Sequence, residues 1–224
     1  MPKGVTKPLS SQRSVANVVD ILREKIASNE LQQGTKLREI EFAESLRVSR
    51  QVVRSAFTIL EQKGLVSRIP NRGAYVASYS YQEMMDLYDI RESLTILTYQ
   101  LAARRAPEGA WVDMMDLFGE AMEEAVRTED VKAYSDAIVE LDQLASRFAK
   151  NRFLDPILSP IIDLTQVLAR RAMLLPNRLE TGLDHNRQIL QALAERDEDA
   201  VARIFSEMMQ VSRDYLTKYK EILF

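Results

Sequence analysis

The sequence predicts a mostly α protein: an N-terminal winged helix-turn-helix domain followed by an antiparallel six- or seven-helix bundle. Three observations carry that expectation. Two short helical patterns meet at the tight junction Leu46-Arg47-Val48-Ser49, and two β-like runs flank the turn Asn71-Arg72-Gly73. From Tyr81 onward, almost every stretch repeats its apolar residues at helical spacing.

The elements follow in order. Residues 1–10 hold two prolines, two lysines and a glycine, and read as a flexible tail. A first helix is expected from Ser14 to Ser28, with Val15, Val18, Val19, Leu22 and Ile26 at helical spacing and Ser14 suited as its N-cap. Leu31 to Lys36, with Gly34 inside, reads as a turn or short edge strand. The second helix spans Glu39 to Leu46 and is expected to bury Ile40, Ala43 and Leu46. Ser49 is placed to cap the third, which runs to Lys63 with Val52, Val53, Ala56, Ile59 and Leu60 inward. Gly64 stops it, because glycine adopts a left-handed backbone at little cost. Leu65–Ile69 and Ala74–Ser78 are the wing strands, completing a domain over residues 11–79. Residues 80–224 form the bundle, with helices near 81–105, 108–127, 131–149, 152–175, 178–195 and 198–221. Pro156 and Pro160 are expected to start, kink or split the fourth of these.

Charge divides along the same line. The chain of 224 residues carries a net charge of −3, but residues 1–79 have 13 Lys and Arg against 7 Asp and Glu, and residues 80–224 have 17 against 26. A basic first part suits a polyanionic partner, and an acidic second part belongs away from phosphates. No run approaches the length of a membrane span, and the N-terminal stretch lacks the apolar core of a secretion signal. The absence of cysteine excludes disulfides and thiolate metal sites, and points to a cytoplasmic location. There is no Gly-rich phosphate loop and no Glu-x-x-His pair, which speaks against an enzyme.

On the third helix the residues not used for packing include Arg50, Gln51 and Arg54, all near its N-terminus. A helix-turn-helix presents that end to base edges, where Arg pairs with guanine and Gln with adenine. The Ser49 hydroxyl suits a phosphate, as does Arg72 beside the permissive Gly73 on the wing. Arg38, Arg47 and Arg68 are expected to touch the DNA backbone and set position. Because one winged helix reads only a few base pairs, a homodimer on a palindromic double-stranded operator is expected.

The string L-x-E-x-x-x-A-x-x-L-x-V-S-R-x-x-V-R-x-A-x-x-x-L-E-x-x-G-L-V from Leu37 to Val66, with N-R-G-A-x-V from Asn71 to Val76, resembles the winged-helix signature of GntR-type bacterial transcription regulators. It departs at Val52, where proline is usual. Further on, Tyr88-Asp89-Ile90-Arg91-Glu92, Ala-Lys-Asn-Arg-Phe-Leu at 149–154, Asp-His-Asn-Arg-Gln-Ile-Leu-Gln-Ala-Leu at 184–193 and Arg-Asp-Glu-Asp-Ala at 196–200 resemble the FCD effector domain of the FadR subfamily. The resemblance implies a DNA-binding regulator controlled by a small organic acid bound in the bundle, often beside a divalent metal.

The family's metal ligands are an Asp and a His about four residues apart, then two His about 22 apart. This chain has a single histidine. His185 matches the first of the spaced pair and Glu207 falls at the second; counting back from Asn151 puts Asp142 at the earlier His and Ile138 at the Asp. Three readings stay open. Asp142, His185 and Glu207 hold one divalent cation of the harder type. Alternatively His185 is a hydrogen-bonded interior residue and no metal binds. Or arginine receives the acid, with Arg91 the first choice and Arg170 or Arg171 behind it. Effector candidates are therefore Arg91, Asp142, His185 and Glu207. The methionine stripes, including Met84, Met85, Met114, Met115, Met122, Met208 and Met209, read as core or dimer-interface filling. Two further functions compete: an architectural DNA-binding dimer without effector, and a metal hydrolase using Asp142, His185 and Glu207.

Overall fold

Short polar side chains start the first helices. The Asn17 amide donates to the Ser14 hydroxyl at the head of α1 (Val15–Ala27), and the Val52 amide donates to Ser49 at 3.3 Å at the head of α3 (Arg50–Gln62). Between them, α2 (Glu39–Leu46) ends where Arg47 turns left-handed at φ 55°, which brings the Val48 amide onto the Ala43 carbonyl. The computed structural model describes residues 14–224, so the expected N-terminal tail lies outside the described residues. Two compact units result, one up to Ser78 and one from Tyr79 to Phe224.

In the first unit, β1 (Lys36–Leu37), β2 (Val66–Ile69) and β3 (Gly73–Val76) form an antiparallel sheet in the order β1-β3-β2. Val66 pairs with Val76 and Ile69 with Gly73 across the hairpin, and Lys36 pairs with Tyr75 on the other edge. Asn71 (φ 61°) and Gly73 (φ 100°) make the hairpin turn, the second being a conformation that glycine adopts without a Cβ clash. Val18, Leu22, Val53, Ala56 and Leu60 fill the core. Phe57 joins them at 1% exposure, with its ring edge-on to Phe42 at 6.0 Å. Two expectations are corrected here. Ile40 is exposed, because it sits in the first turn of α2 beside Ile69, where a groove rather than the core lies beneath it. Val52 and Ile59 are only partly buried, since Phe57 takes the inner volume.

The second unit is helical. It contains α4 (Tyr81–Arg105), α5 (Val112–Asp116), α6 (Met122–Arg127), α7 (Val131–Ala149), α8 (Leu154–Met173), α9 (Arg178–Glu195), α10 (Glu198–Lys218) and the single turn α11 (Lys220–Leu223). Ser80 and Glu83 form a reciprocal capping box on α4, and Asp130 and Asp197 cap α7 and α10. α4 is central and packs against α7, α8, α9 and α10. The continuous helix expected over 108–127 is interrupted: Leu117–Ala121 widen into a π-type turn in which Gly119 leaves helical geometry at ψ −128°. Arg187 satisfies the carbonyls this frees, donating to Phe118 at 2.7 Å and Gly119 at 3.2 Å, and it pairs with Glu123 at 2.6 Å. α8 continues through Pro160, and Pro156 falls in its first turn, where a missing N–H costs no helical bond. Among the described residues, no helix is long and apolar enough to cross a membrane.

Candidate DNA interface and an arginine-lined cavity

α3 buries Val53, Ala56, Phe57 and Leu60, so the opposite side, with Arg50, Gln51 and Arg54, is exposed. Arg54 is not loose. Its Nε and Nη2 donate to the two Glu39 oxygens at 3.0 and 2.8 Å, and Arg50 lies 3.9 Å from the same carboxylate. The Arg54 hydrogen bond outweighs partial burial and holds the Glu39 carboxyl below its ordinary pKa. This contact uses one edge of the guanidinium and leaves the Nη1 end open. Arg68 donates to Thr58 at 2.9 Å and pairs with Glu61 at 3.2 Å, while Arg38 pairs with Glu41 at 2.8 Å. Arg72 is exposed at the wing tip beside Gly73, and Ser49 is exposed at the helix start. A groove between α2, α3 and the wing collects Lys36, Arg38, Arg50 and Arg68. It is a cationic surface with acidic side chains holding several of its arginines.

The bundle contains a cavity of about 80 Å³. α4 contributes Tyr88, Arg91 and Tyr99; α7 contributes Tyr134 and Asp142; α9 contributes Arg178, Gly182 and Asn186; α10 contributes Phe205, Met209 and Ser212. Hydrogen-bond donors outnumber acceptors. Arg91 donates Nη1 to Thr165 at 3.1 Å, but its buried Nε has no acceptor among the described residues. Arg178 donates Nη2 to Ser212 at 2.7 Å and lies 5.7 Å from the Tyr215 ring centre, with no carboxylate partner among the described residues. Burial pushes its pKa down, and the neighbouring Arg91 acts in the same direction. Asn186 donates to the Tyr134 hydroxyl at 3.1 Å, leaving the phenolic hydrogen without an acceptor among the described residues. Burial raises Tyr134 to about 12, so that hydrogen stays in place at neutral pH.

Among the described residues, Asp142 is the only carboxylate lining this cavity. The Tyr99 hydroxyl donates to its Oδ1 at 2.6 Å. Burial raises the Asp142 pKa, against the opposing pull of Arg91 and the Tyr99 hydrogen bond. Burial likewise lifts the Tyr99 hydroxyl well above its ordinary value, with the Asp142 charge adding to it.

Of the residues expected here, Arg91 and Asp142 line the cavity, and His185 and Glu207 do not. The expected convergence of Asp142, His185 and Glu207 is corrected. The His185 Nδ1 lies 2.8 Å from the Thr181 carbonyl within α9, and its neighbour Asn186 is the one that faces the cavity. Glu207 is exposed and pairs with Arg203 at 3.3 Å, while the adjacent Met208 and Met209 face inward. One residue along a helix is a rotation of roughly 100°, so an alignment of spacings misplaces both by a single step. No group of three metal-ligating side chains forms among the described residues. The cavity's own chemistry does not suit a metal either, with two guanidinium groups, one carboxylate and no imidazole on its wall. That donor set gives no support to a metal hydrolase at this cavity. Arg170 contacts Asp136 at 3.4 Å and Arg171 donates to the Ile222 carbonyl at 3.1 Å; neither lines the cavity. Met84, Met114, Met122 and Met209 are buried in the core.

Sequence reasoning missed Arg178, Tyr88, Tyr134 and Asn186. Arg178 follows Pro176-Asn177 and resembles a solvated helix start. The usable signal was its spacing with Gly182 and Asn186, which puts all three on one face of α9.

Comparison with known proteins agrees with both units. Residues 14–76 match the family described as bacterial regulatory proteins, gntR family, and residues 86–211 match the FCD domain. The chain is 27% identical to the HTH-type transcriptional repressor RspR of Escherichia coli over 92% of this chain and 87% of that protein. It is 24% identical to the gluconate operon transcriptional repressor of Bacillus licheniformis over 88% and 82%. Among solved structures, Escherichia coli McbR/YncC shares the fold with a TM-score of 0.81 at 17% identity, covering 92% of this chain and 98% of that one.

Proposed function

We propose that this chain, which belongs to the gntR family of bacterial regulatory proteins and carries an FCD domain, is a transcription regulator whose hold on its operator is set by a small carboxylate bound in the bundle cavity. The observation that carries the effector half is the surplus of donors: Arg91 and Arg178 face one cavity with a single carboxylate between them. A buried donor without an acceptor, such as the Arg91 Nε, is costly, and an anion with two oxygens can satisfy it together with Arg178.

On the DNA side, Arg50, Gln51 and Arg54 read base edges in the major groove, while Ser49, Arg38 and Arg72 hold phosphates and Gly73 lets the wing approach closely. The regulator works as a homodimer on a palindromic operator. Supporting that, Ile90 and Leu97 on α4 and Phe153 and Ile157 at α8 are apolar and exposed. Coupling runs through α4, which carries Tyr88, Arg91 and Tyr99 and is joined to the last wing strand by residues 77–80. An acid that draws Arg91 toward Arg178 shifts α4 and with it the attachment of the reader.

Selection of duplexes from a random-sequence pool tests the reading. A two-fold symmetric consensus is expected, and Arg50→Ala should lose discrimination at one position of each half-site by about 1–3 kcal/mol. Retention of DNA by charge alone, with no consensus, would refute it.

A further inference from the structure

We infer that the bundle cavity binds a small monocarboxylate without any metal ion, the guanidinium groups of Arg91 and Arg178 together supplying the positive charge. This rests on the effector reading above and narrows it to a ligand class and a binding mode.

Charge decides the class. Among the described residues, Arg91 and Arg178 are the cations on the cavity wall, Asp142 is its only carboxylate, and the tyrosines that line it are neutral at physiological pH. With Asp142 ionised, the wall carries one net positive charge. A single carboxylate brings it to neutrality, whereas a divalent cation would add to an excess already present and a dicarboxylate would overshoot. Placing a metal there would also require ligands, and Asp142 alone does not make a site.

Geometry supports the same answer. Each guanidinium carries five N–H donors, and each is held by one hydroxyl: Arg178 by Ser212 at 2.7 Å, Arg91 by Thr165 at 3.1 Å. These bonds orient the groups and leave the remaining donors for a ligand. The Arg91 Nε is buried without an acceptor. Tyr99 occupies Asp142 Oδ1 at 2.6 Å, which tethers the carboxylate on the α4–α7 side. Size sets the upper limit. A volume of about 80 Å³ offers on the order of five water-sized positions, close to the heavy-atom count of a short carboxylic acid, and Phe205, Ile138 and Met209 give its chain an apolar wall.

The test uses the full chain treated with EDTA and dialysed, followed by melting temperature and calorimetric titration with acetate, propionate, butyrate, succinate and the uncharged analogue propionamide. Each ligand is run with and without added magnesium, manganese or zinc. Propionate is expected to bind and raise the melting temperature equally in metal-free and metal-supplemented protein, while propionamide and succinate bind at least tenfold more weakly. Arg178→Met should weaken propionate by at least about tenfold, the loss expected for a hydrogen bond to a charged group, without lowering the melting temperature of the ligand-free protein. Ser212→Ala keeps the cation but frees its anchor and should give a smaller loss, providing a second reading if Arg178→Met does not fold. Monocarboxylate binding that requires an added metal, or succinate binding more tightly than propionate, would overturn the inference and leave the effector reading standing. Failure of every acid to bind, with or without metal, would overturn both.

Discussion

Gly182→Ala separates two opposing effects at the cavity wall. In an exposed helix interior the exchange is stabilising by about 1 kcal/mol, because alanine restricts the unfolded chain and favours helix. At this position, however, a Cβ would lie 2.8 Å from the Tyr134 hydroxyl oxygen and 3.6 Å from its Cζ. Tyr134 is 1% exposed, and its hydroxyl is held by Asn186 at 3.1 Å. Tyr134 and Asn186 both line the cavity, so moving that oxygen away from the new Cβ disturbs the bond to Asn186. Overpacking costs about 1–3 kcal/mol and the strained hydrogen bond about 1 kcal/mol more, so against the intrinsic gain of about 1 kcal/mol the net change is a destabilisation of about 1–3 kcal/mol. For a chain of this size that is a fall in Tm of roughly 2–12 °C. The cavity also shrinks, so propionate binding should weaken at least tenfold. Tyr134→Phe removes the clashing atom, and in that background Gly182→Ala should recover its intrinsic gain of up to about 1 kcal/mol. The double-mutant coupling read by chemical denaturation is then about 2–4 kcal/mol. Additive effects, or a Gly182→Ala protein more stable than the parent, would refute the close packing of α9 on Tyr134.

Three further outcomes are expected. Because burial raises the folded pKa of Asp142, its contribution to stability is present at low pH and is lost as pH rises through that raised value. The difference in Tm between the parent and Asp142→Asn should therefore decline with rising pH across the carboxylate range, and a difference that grew with pH would contradict the assignment. Glu39→Gln frees Arg54 and removes a negative charge from the DNA face: affinity for mixed-sequence duplex should rise, selectivity for the operator should fall, and the slope of log affinity against log salt should steepen by up to about one unit. Parallel changes in affinity and selectivity would argue against a positioning role for Glu39. Phe57→Ala empties a site that is 1% exposed and should cost the first unit about 3–5 kcal/mol in denaturant titration, whereas a cost under 1 kcal/mol would contradict its place in the core.

Much of the reader was legible in the sequence because its signals are local. Ser49 caps α3 by a bond reaching three residues, and the turn at Asn71-Arg72-Gly73 needs a left-handed backbone that these residue types tolerate. Periodicity alone assigned Ile40 to the core and passed over Phe57, because it marks a face of a helix without saying what lies opposite. The break at Gly119 was hidden for a similar reason: Arg187, distant in sequence, satisfies the freed carbonyls. At the cavity, Arg91 and Asp142 were found as polar residues in motifs. Arg178 was missed because burial of an arginine depends on the Ser212 hydroxyl and the Tyr215 ring, contributed from α10. His185 and Glu207 were misplaced because a resemblance in spacing fixes positions along the chain, and a one-residue difference on a helix turns a side chain out of the site.

Under the proposed function, the state of the arginine-lined cavity sets the grip of the winged helix on its operator. The direct measurement is fluorescence anisotropy of the duplex enriched from the random pool, with and without saturating propionate, on the parent protein and on Arg178→Met. The parent's operator affinity should change by roughly 5- to 150-fold, the range of ordinary allosteric coupling, while Arg178→Met binds the same duplex with no response to the acid. An unchanged operator affinity in parent protein shown by calorimetry to be saturated with propionate would contradict the account.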